Sequence, residues 1–345
     1  MQIINLNTNL PQKKEEEFLK IDFASLFNFD FKEQKILDFS KLSLELKEQK
    51  DSFVYESKLF SIANKIDDKQ KVLTIKENTK EPILIVNSIK EDDTLFSNNL
   101  LIEVLDGVKA SVIEVFISNK NSSCLLSNRV IKANQNSSIE YVKIQDIKEN
   151  NSFILSFKTI QEDSSNVEIS NFELGNGFVV NSFENCIESL GVNYELNGLN
   201  KLRNSANIST LVNTTHNNQN SRSNINYKNS LLDNSRAVVK IKSKVTQKGL
   251  YSKAFQNCNS ILLSDDAVIF AQPFLEIYID ELEASHGTTT GTLNKDELYY
   301  LTARGIPRND AYLMLLEAFE SSIKDNLKDE NLKKFVEEYK KESYI

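Results

Sequence analysis

Apolar residues along this chain come in short bursts. From about Leu95 onward, segments rich in Val, Ile, Leu and Phe recur between clusters of Asn, Ser, Asp and Gly, as in "NLLIEVLDGVKASVIEVFIS", "SSIEYVKIQD", "GFVVNSFE", "RAVVKIKSKV" and "DAVIFAQPFLEIYID". Short apolar runs bounded by turn formers read as strands. Alternation with a period of two is plain where Ile139, Tyr141, Lys143 and Gln145 take turns with Glu140 and Val142, and where Val238 runs into Lys240 and Lys242. That period predicts one buried and one wet face. Many such strands with few prolines suit either a β-sandwich or a β-solenoid whose coils stack on one another. No clean repeat length separates the two. The polar tract "NTTHNNQNSRSNINYKN" at 213–229 has strands on both sides and its own Ile225/Tyr227 alternation, so it is expected to be ordered.

The two ends have a different character. Residues 1–85 mix a charged, helix-favouring run, "QKKEEEFLKIDFASLF", with the strand-like "KVLTIKE" and "PILIVNSI", which predicts a mixed α/β region. Beyond Gly291 the strands stop. Asn294 followed by Glu297 makes a capping box, Leu293 and Leu298 occupy the positions of a hydrophobic staple, and Gly305 with Pro307 closes the helix, predicting a helix from Lys295 to Arg304. A second helix is expected over roughly 310–327, with Tyr312, Leu316, Phe319 and Ile323 on one face. A third carries Leu332, Phe335, Val336 and Tyr339. The chain therefore divides into an N-terminal mixed region, 1–85, a β core, 86–291, and a C-terminal helical domain, 292–345.

With 345 residues, 40% of them hydrophobic, the chain is long enough to bury a sizeable core. A net charge of −8 and no basic stripe argue against a nucleic-acid partner. The start lacks the basic-then-apolar order of a signal peptide, and no apolar run is long enough for a membrane span, so a soluble cytoplasmic protein is expected. Cys124, Cys186 and Cys258 are far apart and odd in number, which fits reduced thiols; all three read by default as small core residues. His216 lies in the polar tract far from any second ligand and reads as structural, and Asp265–Asp266 reads as a turn pair; the Asn-x-Ser/Thr triplets at Asn121, Asn136 and Asn213 are chance matches and, without a secretory signal, no evidence of glycosylation. No Ser-His-Asp order, nucleophile elbow, phosphate-binding glycine loop or His-x-x-x-His pair occurs, so the usual hydrolase, nucleotide and zinc signatures are missing. His286 stands where the last strand meets the helices.

The stretch around His286 carries a resemblance. "SHGTTTGTLNKDELYYLTARGI" resembles the "SHGATVGxLDxxxLFYLxSRGI" pattern of the SufB/SufD family of iron–sulfur cluster assembly proteins, the SufD branch in particular. "LPQKKEEEFLKIDFASL" resembles the start of SufD proteins, and "CNSILLSDDAVIFAQPFLEIYIDELEASHG" resembles the segment that leads into the family histidine. The resemblance implies a mainly β protein with a right-handed parallel β-helix core flanked by helical regions. It implies a non-catalytic scaffold subunit that binds a SufC-type ATPase through its C-terminal helices and pairs with SufB, or with itself, through the end of the β-helix. A transient iron–sulfur cluster at the subunit interface is the implied cofactor, with a flavin as a further candidate in the assembled complex. His286 matches the family histidine at that interface, where an imidazole can serve as an iron ligand. "CNSILLSDD" also resembles the SufB stretch whose cysteine accepts sulfur, which makes Cys258 a second candidate ligand. Two positions depart: Ala284 stands where many SufD proteins carry a cysteine, and Gly287 stands where SufB proteins tend to have glutamate. The alternative reading is a free-standing β-solenoid, either polysaccharide-active or purely structural.

Overall fold

The computed structural model describes residues 6, 10, 11, 15–23, 26, 31–39, 47–50, 57–118 and 120–342. It is a parallel β-solenoid of eight coils, each built from one strand of each of two sheets. The first sheet runs β2 (Lys47–Lys50), β3 (Lys69–Ile75), β5 (Thr94–Val104), β7 (Cys124–Ala133), β9 (Ser152–Gln161), β11 (Phe178–Ile187), β13 (Asn207–His216), β15 (Arg236–Val245) and β17 (Val268–Ile277), with β1 (Glu33–Ile36) paired to the start of β5. The second runs β4 (Ile83–Ile89), β6 (Lys109–Ser118), β8 (Ser138–Ile147), β10 (Asn166–Glu173), β12 (Asn193–Leu202), β14 (Arg222–Leu231), β16 (Lys253–Leu262) and β18 (Glu283–Gly291). Among the described residues, β2 alone pairs antiparallel, capping β3. The sandwich alternative is thereby excluded. The stack already includes β3, which lies before the core boundary read from the sequence, and β4, which straddles it.

Coil length explains why no repeat shows in the sequence. Residues aligned on adjacent coils are 26 apart at Ser152 and Phe178 but 32 apart at Arg236 and Val268. The variation is absorbed at the corners, where the chain needs left-handed residues and, with the exception of Tyr251, uses Asn, Asp, Ser and Gly. The tract 213–229 is ordered as predicted, forming the end of β13 and most of β14.

Inside the coils, apolar side chains of both sheets form one continuous core, with the rings of Phe157 and Phe183 stacked at 4.8 Å. The expectation of one buried and one wet face fails over much of the solenoid, because both outer faces are covered. On the second sheet the outward residues Val142 and Ile144 are buried beneath Ile323, Leu327, Leu332 and Val336 of the C-terminal helices and the link between them. On the first, Leu126, Ile154, Val180 and Leu211 are buried beneath Phe18, Phe23 and the helix α1 (Lys58–Ile66). Lys143, in the same row as Ile139 and Tyr141, points inward and is fully buried with Glu173, Asn171 and Asn181 as partners.

At the N-terminus the helix-favouring run lies partly outside the described residues, and Glu16–Phe18 within it is a single 3-10 turn. The C-terminal helices follow the sequence closely: α2 (Lys295–Ala303), α3 (Arg308–Asp325) and α4 (Glu330–Glu342). Asn294 caps α2 by accepting from the amides of Asp296 and Glu297, and Gly305 at φ 89° returns its amide to Thr302. Polar clamps fix α3 and α4 to the solenoid. Glu320, wholly buried, accepts from Lys201 and from Ser230 at 2.6 Å. The Glu140 carboxylate accepts the amides of Lys328 and Asp329, while burial pushes its pKa up. No described helix is long and apolar enough to cross a membrane.

Candidate functional site at the open end

The two ends of the solenoid are unlike. At the N-terminal end β2 caps β3, and Phe39 lies over the Arg129 guanidinium. At the other end nothing among the described residues pairs with the outer edges of β17 and β18. Strand edges of nine and ten residues are thus left with open backbone donors and acceptors. Apolar side chains accompany them: Val268, Phe274, Ile277 and Tyr278 are all exposed.

His286 is on this last coil, exposed, and aligned with Gln256 of β16 beneath it. Its burial neighbours are missing because the stack ends there. Cys258 lies one coil lower and two register steps along, aligned with Thr288 above and Tyr227 below. The thiol belongs to the core: it has no exposed surface, it takes a hydrogen bond from Asn229 at 3.4 Å, and burial pushes its pKa up to about 11. Thr288 of the last coil closes over it by donating to the Cys258 carbonyl at 3.0 Å. The two candidate ligands are therefore near neighbours in register, one at the surface and one beneath it. Among the described residues, no three His, Cys, Asp or Glu side chains cluster closely enough to hold a metal ion.

A groove of about 1130 Å³ runs from the outer face of the first sheet over the rim of β17 to His286, and Cys186, Lys242, Lys244, Phe274 and Glu276 also line it. Lys242 pairs with Glu276 at 2.7 Å, and the Lys244 ammonium lies 5.4 Å from the Tyr278 ring centre. Cys186 corrects an expectation: it is exposed rather than a core thiol. With Phe183 and Ile187 of β11 in the core, a period of two places Cys186 on the outer face, so the signal was present in the strand pattern. Cys124, by contrast, is buried as expected.

His216 is structural. Its ring is buried between the hydroxyls of Ser221 and Ser223, each 2.7 Å from a ring nitrogen, and Ser221 continues to Ser252 at 2.9 Å. Burial lowers its pKa to about 4. A neutral imidazole, one nitrogen donating and one accepting, satisfies this pair. Because the folded value lies below the ordinary one of about 6.5, the unfolded chain takes up a proton first as pH falls. Stability from this group is complete above about pH 6.5 and is lost towards pH 4, by about 3 kcal/mol in all. Urea unfolding of wild type and His216→Gln across that range should show the difference between them shrinking as pH falls.

The fold is thus a parallel β-solenoid with one capped end, one open end and a clamped helical domain, and the two candidate residues His286 and Cys258 lie at and beneath the open end. The sequence profile of the SUF system FeS cluster assembly SufBD core domain matches residues 86–319. The chain belongs to the SufB/SufD family of iron–sulfur cluster assembly proteins and is most like SufD. It is 34% identical over 110 residues to the iron–sulfur cluster assembly protein SufD of Escherichia coli, a stretch that is 32% of this chain and 26% of that protein. It is 28% identical over 296 residues to the SufD of Plasmodium berghei, covering 82% of this chain and 21% of that protein. A SufBD family protein of Methanothermobacter thermautotrophicus is 37% identical over 93 residues, 25% of this chain and 23% of the relative. The chain thus spans about a quarter or less of the length of these relatives.

Proposed function

We propose that this chain is a non-catalytic, SufD-like scaffold subunit of a cytoplasmic assembly that builds iron–sulfur clusters. The open solenoid end carries the reading: it presents two unpaired strand edges, exposed apolar residues and His286 together. A SufB-type chain, or a second copy, pairs there and adds ligands to the His286 imidazole, so that a transient cluster is held between subunits. Neutral imidazole is a suitable iron ligand. Cys258 would reach a metal only after the last coil parts from β16, because its thiol lies in the core.

The helical domain supplies the second surface. Helix α2 has no buried residue, and Tyr299, Tyr300, Leu313 and Met314 of α2 and α3 are exposed while the opposite side of α3 is clamped to the solenoid. An apolar and aromatic face on a rigid mount suits a protein partner, and a SufC-type ATPase is the one proposed. The test is anaerobic co-expression with the SufC-type ATPase of the same genome, sized by light scattering. A stable complex is expected, lost in Leu313→Asp/Met314→Asp with the fold kept; no complex with folded wild type under any nucleotide condition overturns the assignment.

A further inference from the structure

Six successive coils turn from the first sheet to the second through one residue in the left-handed region. In order these are Gly107, Asn136, Ser164, Gly191, Asn220 and Tyr251, with φ of 70°, 57°, 59°, 66°, 54° and 59°. Each donates its amide to a carbonyl of the next coil, that of Gln135, Asp163, Leu190, Gln219, Leu250 and Glu281 in turn. The position is therefore one structural role repeated six times. Five coils fill it with glycine or a short polar residue, the types for which this conformation costs least. The sixth uses tyrosine. A bulky side chain is strained there, and at 61% exposure the Tyr251 ring gains little burial within the chain to offset it.

The location of the exception is informative. Tyr251 sits at the corner directly beneath the last coil, holding Glu281 of that coil through its amide. The same flank exposes Ile277 and Tyr278, at 44% and 56%. Strain without an internal return, beside an unpaired edge, points to a contact made outside the chain. The edges themselves define the partner's chemistry: β17 and β18 expose rows of backbone donors and acceptors, and another solenoid end with unpaired strands satisfies both rows at once.

We propose that Tyr251 is an anchor residue by which a second parallel β-solenoid end is held against this one, the ring packing on the partner's flank. The inference rests on the reading of the open end as a pairing surface given above. It adds a residue that the family resemblance did not mark and a reason for its conformation: the free chain carries the strain, and the paired chain gains a buried aromatic contact of the kind that dominates interfaces.

Two variants test it. Tyr251→Asn places a tolerant residue at the corner and removes the ring; Tyr251→Phe keeps the ring. Pairing is measured by analytical ultracentrifugation, for the chain alone and with the SufB-type chain of the same genome. Below the pairing concentration, Tyr251→Asn should raise the melting temperature by roughly 2 °C. Where wild type pairs, Tyr251→Asn should weaken pairing by at least about tenfold, and Tyr251→Phe should pair as wild type does. Unchanged pairing by Tyr251→Asn overturns the inference while leaving the open end as the interface. If wild type pairs with neither chain, the open-end reading itself fails and the anchor falls with it.

Discussion

Arg129→Ala is expected to destabilise the protein by about 3–5 kcal/mol, the range for stripping one partner from a buried ion pair. Arg129 and Glu114 are both wholly inside the solenoid. The Arg129 Nε lies 2.8 and 3.0 Å from the two Glu114 oxygens, and its terminal nitrogens reach the carbonyls of Asn98 and Asn128 at 3.1 Å and the side-chain oxygens of Asn87 and Asn98 at 3.2 and 3.1 Å. Glu114 also accepts from Asn87 at 2.7 Å and from the Tyr141 hydroxyl. Removing the guanidinium strands a carboxylate in the core and leaves the Asn87 and Asn98 oxygens short of donors. The double variant Arg129→Met/Glu114→Leu should be more stable than Arg129→Ala, because it removes both charges while filling the space. Guanidinium unfolding of the three proteins decides; equal stability of Arg129→Ala and wild type would show that the pair is not desolvated.

Gly198→Ala is expected to cost about 1–3 kcal/mol through overpacking. A Cβ at Gly198 would stand 2.0 Å from a ring carbon of Tyr227 on the neighbouring coil. The ring has nowhere to go: it is fully buried, with Cys258 on the coil above and its hydroxyl 3.5 Å from the Asn171 amide. The penalty should largely vanish in a Tyr227→Ala background, where the added methyl meets space instead of a ring, so a thermal double-mutant cycle isolates the contact. A cost that persists without the ring would locate the strain in the backbone of β12 instead.

How much of this was legible in the sequence varies with the physics of each feature. The capped helix at Asn294 and the apolar faces of α3 and α4 could be read because caps and helical periods act over a few residues. The solenoid could be read as strands but not as coils, since corners of unequal length erase any fixed repeat. Lys143 and Glu114 resisted because a charge on a strand normally marks the wet face, and only register on the next coil reveals that each is paired inside. Val142 and Ile144 face outward, and what buries them arrives from helices nearly two hundred residues later. The site was legible through motif alone: the pattern singled out His286 and Cys258, but not that the first lies at an open end and the second under a closed coil. Tyr251 carries no sequence signal at all; its conformation marks it only when the six corners are laid side by side.

The most direct test of the account is the iron and labile sulfide bound by the assembled complex after anaerobic reconstitution, compared between wild type and His286→Ala. His286 is exposed on the last coil and buries no part of the core, so the variant should fold and assemble as wild type does. The account predicts that it then binds markedly less iron and sulfide and loses the visible absorption of the cluster. An assembled variant with wild-type iron, sulfide and spectrum would contradict it, and the open end would be a docking surface without the chemistry assigned to it.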